Sequence, residues 1–126
     1  MDPDATSAYA PDMHRIYTTS FASVHALYVK KVERKGRTRA EVDEAIMWLT
    51  GFDAVELKRL LDAEATFEDF FAAARMNPLA DEVRGVICGV RIEEIEDPLM
   101  KEIRILDKLV DEIARGRPMQ KVLRGS

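Results

Sequence analysis

The segment that decides the fold is "DPLMKEIRILDKLVDEIARG", residues 97–116. Its apolar side chains recur at alternating spacings of four and three residues, which places them along one side of an α-helix. They are Leu99, Ile103, Leu106, Val110 and Ile113. The pattern spans too few heptads for a dedicated coiled coil and predicts packing within one domain. The predicted solvent-facing side carries charges of both signs. It consists of Lys101, Glu102, Arg104, Asp107, Lys108, Asp111, Glu112 and Arg115.

The two ends of this predicted helix carry clear signals. Asp97 stands where a capping side chain is expected, and Pro98 suits the first helical turn. Gly116 follows the last turn, where a left-handed residue is common. Elsewhere, Thr38 with Glu41 forms a capping box. Signals of this kind predict helices near 20–35, 38–50, 53–64, 66–75, 78–84, 98–115 and 118–124.

The predicted architecture is all-α, with about six or seven helices in one compact domain over 14–126. Residues 1–13 contain two prolines and three aspartates, and they are predicted to form a flexible tail. The exception is "GVICGVRIEEIE", residues 85–96, where two glycines and several β-branched residues weaken a helix. A lone strand there would have no partner elsewhere in the chain. We therefore expect a buried irregular connector that ends in a helical turn at 92–95.

Composition restricts the class of protein. The chain has 126 residues, of which 47% are hydrophobic and 33% charged, as in soluble domains. It has no apolar run of the roughly 20 residues that cross a membrane, and no secretory signal pattern at its start. The single cysteine, Cys88, cannot form an internal disulfide. These features predict a cytoplasmic protein, and the net charge of −4 argues against broad nucleic-acid binding.

Both histidines fall in "HRIYTTSFASVH", residues 14–25, together with four serine and threonine side chains. The hydroxyls near Ser20 stand where helix-capping acceptors belong, and His25 projects onto the apolar side of the helix. No acidic residue lies between positions 12 and 33 to orient either imidazole, so no catalytic residue is predicted. Cys88 is interpreted as a small buried side chain. An enzyme that pairs Cys88 with His25 or His14 stays open as an alternative.

Motifs for metals and cofactors are missing from the sequence. It contains no H-x-x-x-H or C-x-x-C spacing, no calcium loop, no G-x-G-x-x-G and no phosphate-binding loop. The sequence therefore predicts neither a bound metal nor a cofactor.

The basic run "KKVERKGRTR", residues 30–39, allows two interpretations. The favoured one is that these cations complement the negative end of a helix and stay solvated. The alternative is a contact with nucleic acid or a phosphorylated ligand. Its candidate anion-binding residues are Lys30, Arg34, Arg37 and Arg39.

Met47 and Trp48 raise a question about the helix predicted over 38–50. Trp48 projects away from the main apolar stripe, so this helix has apolar groups on two sides. Either the helix is enclosed within the domain, or Met47 and Trp48 belong to an interface. The leading functional hypothesis is a protein-interaction module that binds an unknown protein or a second copy of itself.

Several segments resemble one uncharacterised bacterial family, DUF2200. They are "HRIYTTSFASV", "KGRT", "EVDEAIMWLTG", "CGVRIEEIEDPLMKEIRILDKLVDEIARG" and "MQKVLR", within about 14–124. The resemblance implies a small cytoplasmic helical protein of bacteria. It implies no activity and no catalytic residue.

Overall fold

The computed structural model describes residues 16–125, so the tail predicted over 1–13 and His14 lie outside the described residues. The α-helices are α1 (Phe21–Glu33), α2 (Arg39–Thr50), α3 (Ala54–Asp62), α4 (Phe67–Ala72), α5 (Pro98–Ala114) and α6 (Met119–Val122). Short 3-10 helices span Pro78–Glu82 and Ile92–Glu94, and two strands, β1 (Val86–Ile87) and β2 (Val90–Arg91), form a hairpin. The predicted all-α class is confirmed.

The helices begin where the capping side chains predict. The Thr38 hydroxyl accepts a bond from the Glu41 amide, and the Glu41 carboxylate accepts one from the Thr38 amide. Asp53 and Glu56 form the same reciprocal pair at the start of α3. Helix α2 ends at Gly51, whose φ of 76° is left-handed. A Cβ there would lie 2.8 Å from the Arg75 carbonyl oxygen, so glycine meets both a conformational and a spatial requirement.

Helix α5 lies at the centre and packs against α1, α2, α4 and α6. The predicted seam is confirmed, because four of its five residues are buried and Leu99 is half-buried. The buried surface is wider than the seam, since α5 contacts neighbours on more than one side. It also includes Met100, Ile105, Leu109 and Ala114.

The prediction that Glu112 faces solvent is wrong. Glu112 is 6% exposed, and its carboxylate accepts two bonds from the Arg124 guanidinium, at 2.6 and 2.9 Å. Arg117 adds an ion pair at 3.1 Å. A buried carboxylate is tolerated when cations and hydrogen bonds satisfy it, and here both cations follow α5 in the chain.

Phenylalanines from three parts of the chain form one buried cluster. The rings of Phe21 and Phe70 stack with centroids 3.8 Å apart, and Phe67 meets Phe21 edge-on at 5.4 Å. Phe52 and Phe71 each meet Phe70 edge-on. Such offset and edge contacts add to the benefit of burying the rings. All three phenylalanines of α4 therefore belong to the core.

The structure of segment 85–96 differs from expectation in its strand pairing and in its burial. Strands β1 and β2 pair with each other, Val86 opposite Arg91 and Ile87 opposite Val90, so the partner that the sequence reasoning looked for elsewhere lies within the segment. The turn residues Cys88 and Gly89 have φ of 53° and 76°, as a two-residue hairpin turn requires. The expected burial is wrong, because Cys88 is exposed and Val86 is 50% exposed. The helical turn expected at 92–95 is present as the second 3-10 helix.

None of the helices within residues 16–125 is long and apolar enough to cross a membrane.

Replacing Asp97 by alanine is expected to destabilise the fold by about 2 kcal/mol, the upper end of the usual range for a lost cap. The Asp97 carboxylate accepts the Met100 amide at 3.3 Å and also accepts the half-buried hydroxyl of Tyr17. Urea denaturation measures the loss. Asp97→Asn keeps a capping oxygen and should cost clearly less; an equal cost in both variants would contradict the capping role.

Candidate functional site

A cleft of about 460 Å³ lies between α2 and α3. Its apolar lining consists of Met47, Ala54, Leu57 and Leu61. Its charged lining consists of Arg39, Asp43, Lys58 and Asp62. These charges are paired within each helix: Arg39 Nε lies 3.5 Å from Asp43 Oδ2, and Lys58 Nζ lies 2.7 Å from Asp62 Oδ2. The rim of the cleft is therefore balanced in charge.

The outer side of α3 continues this cleft. A second, shallower recess is lined by Val55, Arg59 and Ala63, and it shares Lys58 and Asp62 with the cleft. The Val55 side chain is 77% exposed, although valine is usually buried. We call the cleft and this recess together the α2–α3 surface.

His25 lies behind the cleft and is held by Asp43. The imidazole is buried, and its Nε2 lies 2.6 Å from Asp43 Oδ1, while the other carboxylate oxygen faces Arg39. Asp43 was not predicted as the partner of His25, because it is 18 residues away in the chain, on the next helix. The sequence feature that indicates this contact is the position of His25 on the apolar side of α1, which directs the imidazole towards α2.

The His25–Asp43 pair does not form a nucleophile–base arrangement with its neighbours. In the part of the chain that the structure describes, no hydroxyl or thiol hydrogen-bonds to His25. Cys88, the other predicted participant, lies exposed in the hairpin turn and has no hydrogen bond to this histidine. The structure thus does not link these two residues, and the contacts of His25 serve to satisfy a buried polar group.

A second buried polar pair joins α1 to α5. The Tyr28 hydroxyl donates to Asp107 at 2.5 Å, and Arg104 donates to the other oxygen of that carboxylate at 2.8 Å. Burial raises the pKa of Tyr28 well above its usual value of 10, and the Asp107 charge raises it further. The hydroxyl therefore stays protonated near neutral pH and acts as a hydrogen-bond donor between the helices.

The interface candidates Met47 and Trp48 lie in different surroundings. Met47 is half-buried and lines the cleft. Trp48 is also half-buried, packs against the core, and its carbonyl oxygen accepts a bond from the Asn77 side chain at 3.0 Å. Only Met47 thus belongs to the α2–α3 surface.

Among the anion-binding candidates, Arg37 uses its guanidinium for hydrogen bonds within the protein. Its Nη1 donates to the carbonyl oxygens of Ile113 and Arg117, at 3.0 and 2.9 Å, and so caps the C-terminal end of α5. Its Nε and Nη2 donate to Glu41. The hydrogen bond from Arg37 holds the pKa of the Glu41 carboxyl below its usual value. Arg37 fastens the junction between α1 and α2 to α5.

The other three candidates are more open to solvent. The Arg39 side chain is 62% exposed and pairs with Asp43. Lys30 and Arg34 are exposed, and neither forms an ion pair within residues 16–125. No group of three or more potential metal-ligating side chains occurs within the same range.

Comparisons with known proteins found one family and one solved structure that are similar to this chain, and both are described as uncharacterized. The family model described as "Uncharacterized protein conserved in bacteria (DUF2200)" matches residues 15–124. The crystal structure of the uncharacterized protein SP1917 is similar, with a TM-score of 0.82 and 46% sequence identity. The match covers 86% of this chain and 90% of that chain. No curated protein matches.

Proposed function

The chain belongs to the DUF2200 family of uncharacterised bacterial proteins, and we propose that it is an interaction module that self-associates through the α2–α3 surface. The observation that carries this proposal is a cleft with four apolar lining residues that continues to Val55, which is 77% exposed on the outer side of α3. A recess and an exposed apolar side chain on one surface are typical of protein–protein contacts.

The charges at the rim favour a second copy of the chain as the partner. A two-fold symmetric contact brings the same surface against itself, so the surface has to complement itself. A strongly acidic or basic surface would repel its own copy. The rim of the cleft instead carries two cations and two acids, each paired with its opposite on the same helix. These side chains can exchange partners across the contact, while Val55 loses its exposure to water.

The competing enzyme hypothesis lacks a comparable observation. It requires that a thiol and an imidazole approach each other, whereas Cys88 is exposed in the hairpin and His25 is buried against Asp43. The basic segment 30–39 is a separate feature of the surface.

We expect Val55→Asp to raise the dissociation constant of the dimer by at least about tenfold, which corresponds to about 1.4 kcal/mol. The substitution places a charge where the contact excludes water. Val55 is the second residue of α3, and an acidic side chain in the first turn favours the helix, so the fold should be retained. Size-exclusion chromatography with light scattering, over a wide range of protein concentration, measures the change.

Leu27→Asp is the matched control, because Leu27 is 63% exposed on α1 and lies outside the lining of the α2–α3 surface. It should leave the dimer unchanged. The proposal is overturned if the unmodified protein has the mass of one chain at every concentration, or if both variants weaken association equally.

A further inference from the structure

Two segments far apart in the chain meet at one end of the molecule. Arg37 donates to the carbonyl oxygens of Ile113 and Arg117 and so joins 30–39 to the end of α5. Lys31 pairs with Asp111, one turn before that end. The predicted basic run therefore adjoins a second basic segment, 115–124, that the sequence reasoning did not connect with it.

Together these segments hold ten of the 19 cationic side chains and one acid, Glu33. They contact four further acids, which are Glu41, Asp43, Asp111 and Glu112. We call this group, segments 30–39 and 115–124 with those four acids, the basic end. Ten cations against five acids give it a net charge of +5, so the rest of the chain carries −9.

The helix dipoles do not cancel this charge. The C-termini of α1 and α5 contribute about half a negative charge each, and the N-terminus of α2 contributes about half a positive charge. Their sum is about −0.5, a small fraction of the net charge of +5. The sequence favoured the interpretation that these cations complement the negative ends of helices. That interpretation accounts for only a small part of the positive charge of the basic end.

Four cations of the basic end have no ion pair within the described part of the chain: Lys30, Arg34, Lys35 and Lys121. All four are exposed, and they lie on α1, on the turn that follows it and on α6. Lys35 also lines an open cleft of about 340 Å³ between α1 and α5, together with Lys31 and Arg115. These cations are spread along a surface rather than gathered around one small socket.

We propose that the basic end binds the phosphodiester backbone of a nucleic acid. An extended polyanion can reach dispersed cations at the same time, whereas a single phosphate group cannot. Nucleic acids also release counterions when lysine and arginine neutralise their phosphates, which favours them over an acidic protein. The segments 30–39 and 115–124 contain no aromatic side chain for stacking on bases, which leaves contacts with the phosphates. Phosphate contacts carry no sequence information, so the binding is independent of sequence. The overall charge of −4 does not oppose this, because the structure separates the charges in space.

The test is fluorescence anisotropy of the intact protein with a labelled DNA duplex and a labelled single-stranded RNA, each at several salt concentrations. If four cations each neutralise one phosphate, the log–log salt slope should be about −3.6 for the duplex and about −2.8 for the single strand. The duplex affinity should then fall about 150-fold between 50 and 200 mM salt. Comparing the two probes shows which form of nucleic acid binds more tightly.

The decisive variant is Arg34→Gln with Lys35→Gln, which removes two unpaired cations and leaves Arg37 intact to hold α5. The duplex slope should become shallower by about 1.8. Arg84→Gln with Arg91→Gln is the matched control, because it removes two exposed cations that lie outside both the basic end and the α2–α3 surface. Thermal melts monitored by circular dichroism verify that both variants fold.

The expected result is salt-dependent binding that the first double variant weakens and the second leaves unchanged. No binding of either probe at 50 mM salt, a low ionic strength on the scale of such titrations, would overturn the proposal. Equal weakening by both double variants would do so too. Stronger competition by polyglutamate than by DNA of equal length would also overturn it and would indicate an acidic protein partner. These outcomes are independent of self-association, since the mutated residues differ from those of the α2–α3 surface.

Discussion

Replacing Phe70 by alanine is expected to lower the free energy of unfolding by about 3–5 kcal/mol, the range for truncating a buried aromatic ring. Phe70 is fully buried, stacks on Phe21, and meets Phe52 and Phe71 edge-on. Alanine would remove contacts to α1, to α4 itself and to the segment between α2 and α3. The cavity would lie where these parts of the chain join, so the surrounding backbone cannot collapse into it easily. Urea denaturation followed by circular dichroism measures the loss.

Two further variants make this measurement specific. Phe70→Leu keeps an apolar side chain and should cost less than Phe70→Ala. Leu27→Ala changes an exposed position of α1 and should stay within about 0.5 kcal/mol of the unmodified protein. If Phe70→Ala is as mild as Leu27→Ala, the aromatic cluster does not hold the core together.

The helices were predictable because their signals are local. Thr38, Asp53 and Asp97 each cap a helix within three residues of themselves, so a short window of sequence contains the whole interaction. The hairpin at 86–91 was missed although it is also local. Its turn uses Cys88 in a left-handed conformation, where asparagine, aspartate or glycine is expected, and strands of two residues leave almost no periodic pattern.

The polar contacts between helices were not predictable, because their partners are distant in the sequence. Tyr28 and Asp107 are 79 residues apart, and Arg37 reaches a carbonyl 80 residues away. Charge patterning on one helix cannot identify such pairs. For this reason Glu112 was assigned to the solvent-facing side of α5, which its spacing matches. The cations that pair with its carboxylate are Arg117 and Arg124, which come after α5 in the chain.

The same contacts explain how the two proposed surfaces arise. In the α2–α3 surface, the charges at the rim of the cleft pair within one helix at spacings of four residues, so this rim is balanced in charge. The basic end depends on Arg37, whose hydrogen bonds to the end of α5 hold segment 115–124 beside segment 30–39. A sequence scan detects the run 30–39 but not its neighbour, so it underestimates the local charge. Met47 lines the cleft, and its role in binding stays a prediction.

Leu106→Ala is expected to destabilise the fold by about 2–5 kcal/mol, because Leu106 is fully buried at the middle of α5. Helix α5 packs against most of the other helices, so a cavity at its centre is lined by side chains that are held in place from several directions. Leu99→Ala is the matched control: the same truncation on the same helix, at a half-buried position in the first turn. It should cost clearly less. Urea denaturation with an unchanged m-value would show that both variants lose stability rather than compactness. Equal costs at the two positions would mean that the centre of α5 is no better packed than its end, and the central place of α5 in the core would be wrong.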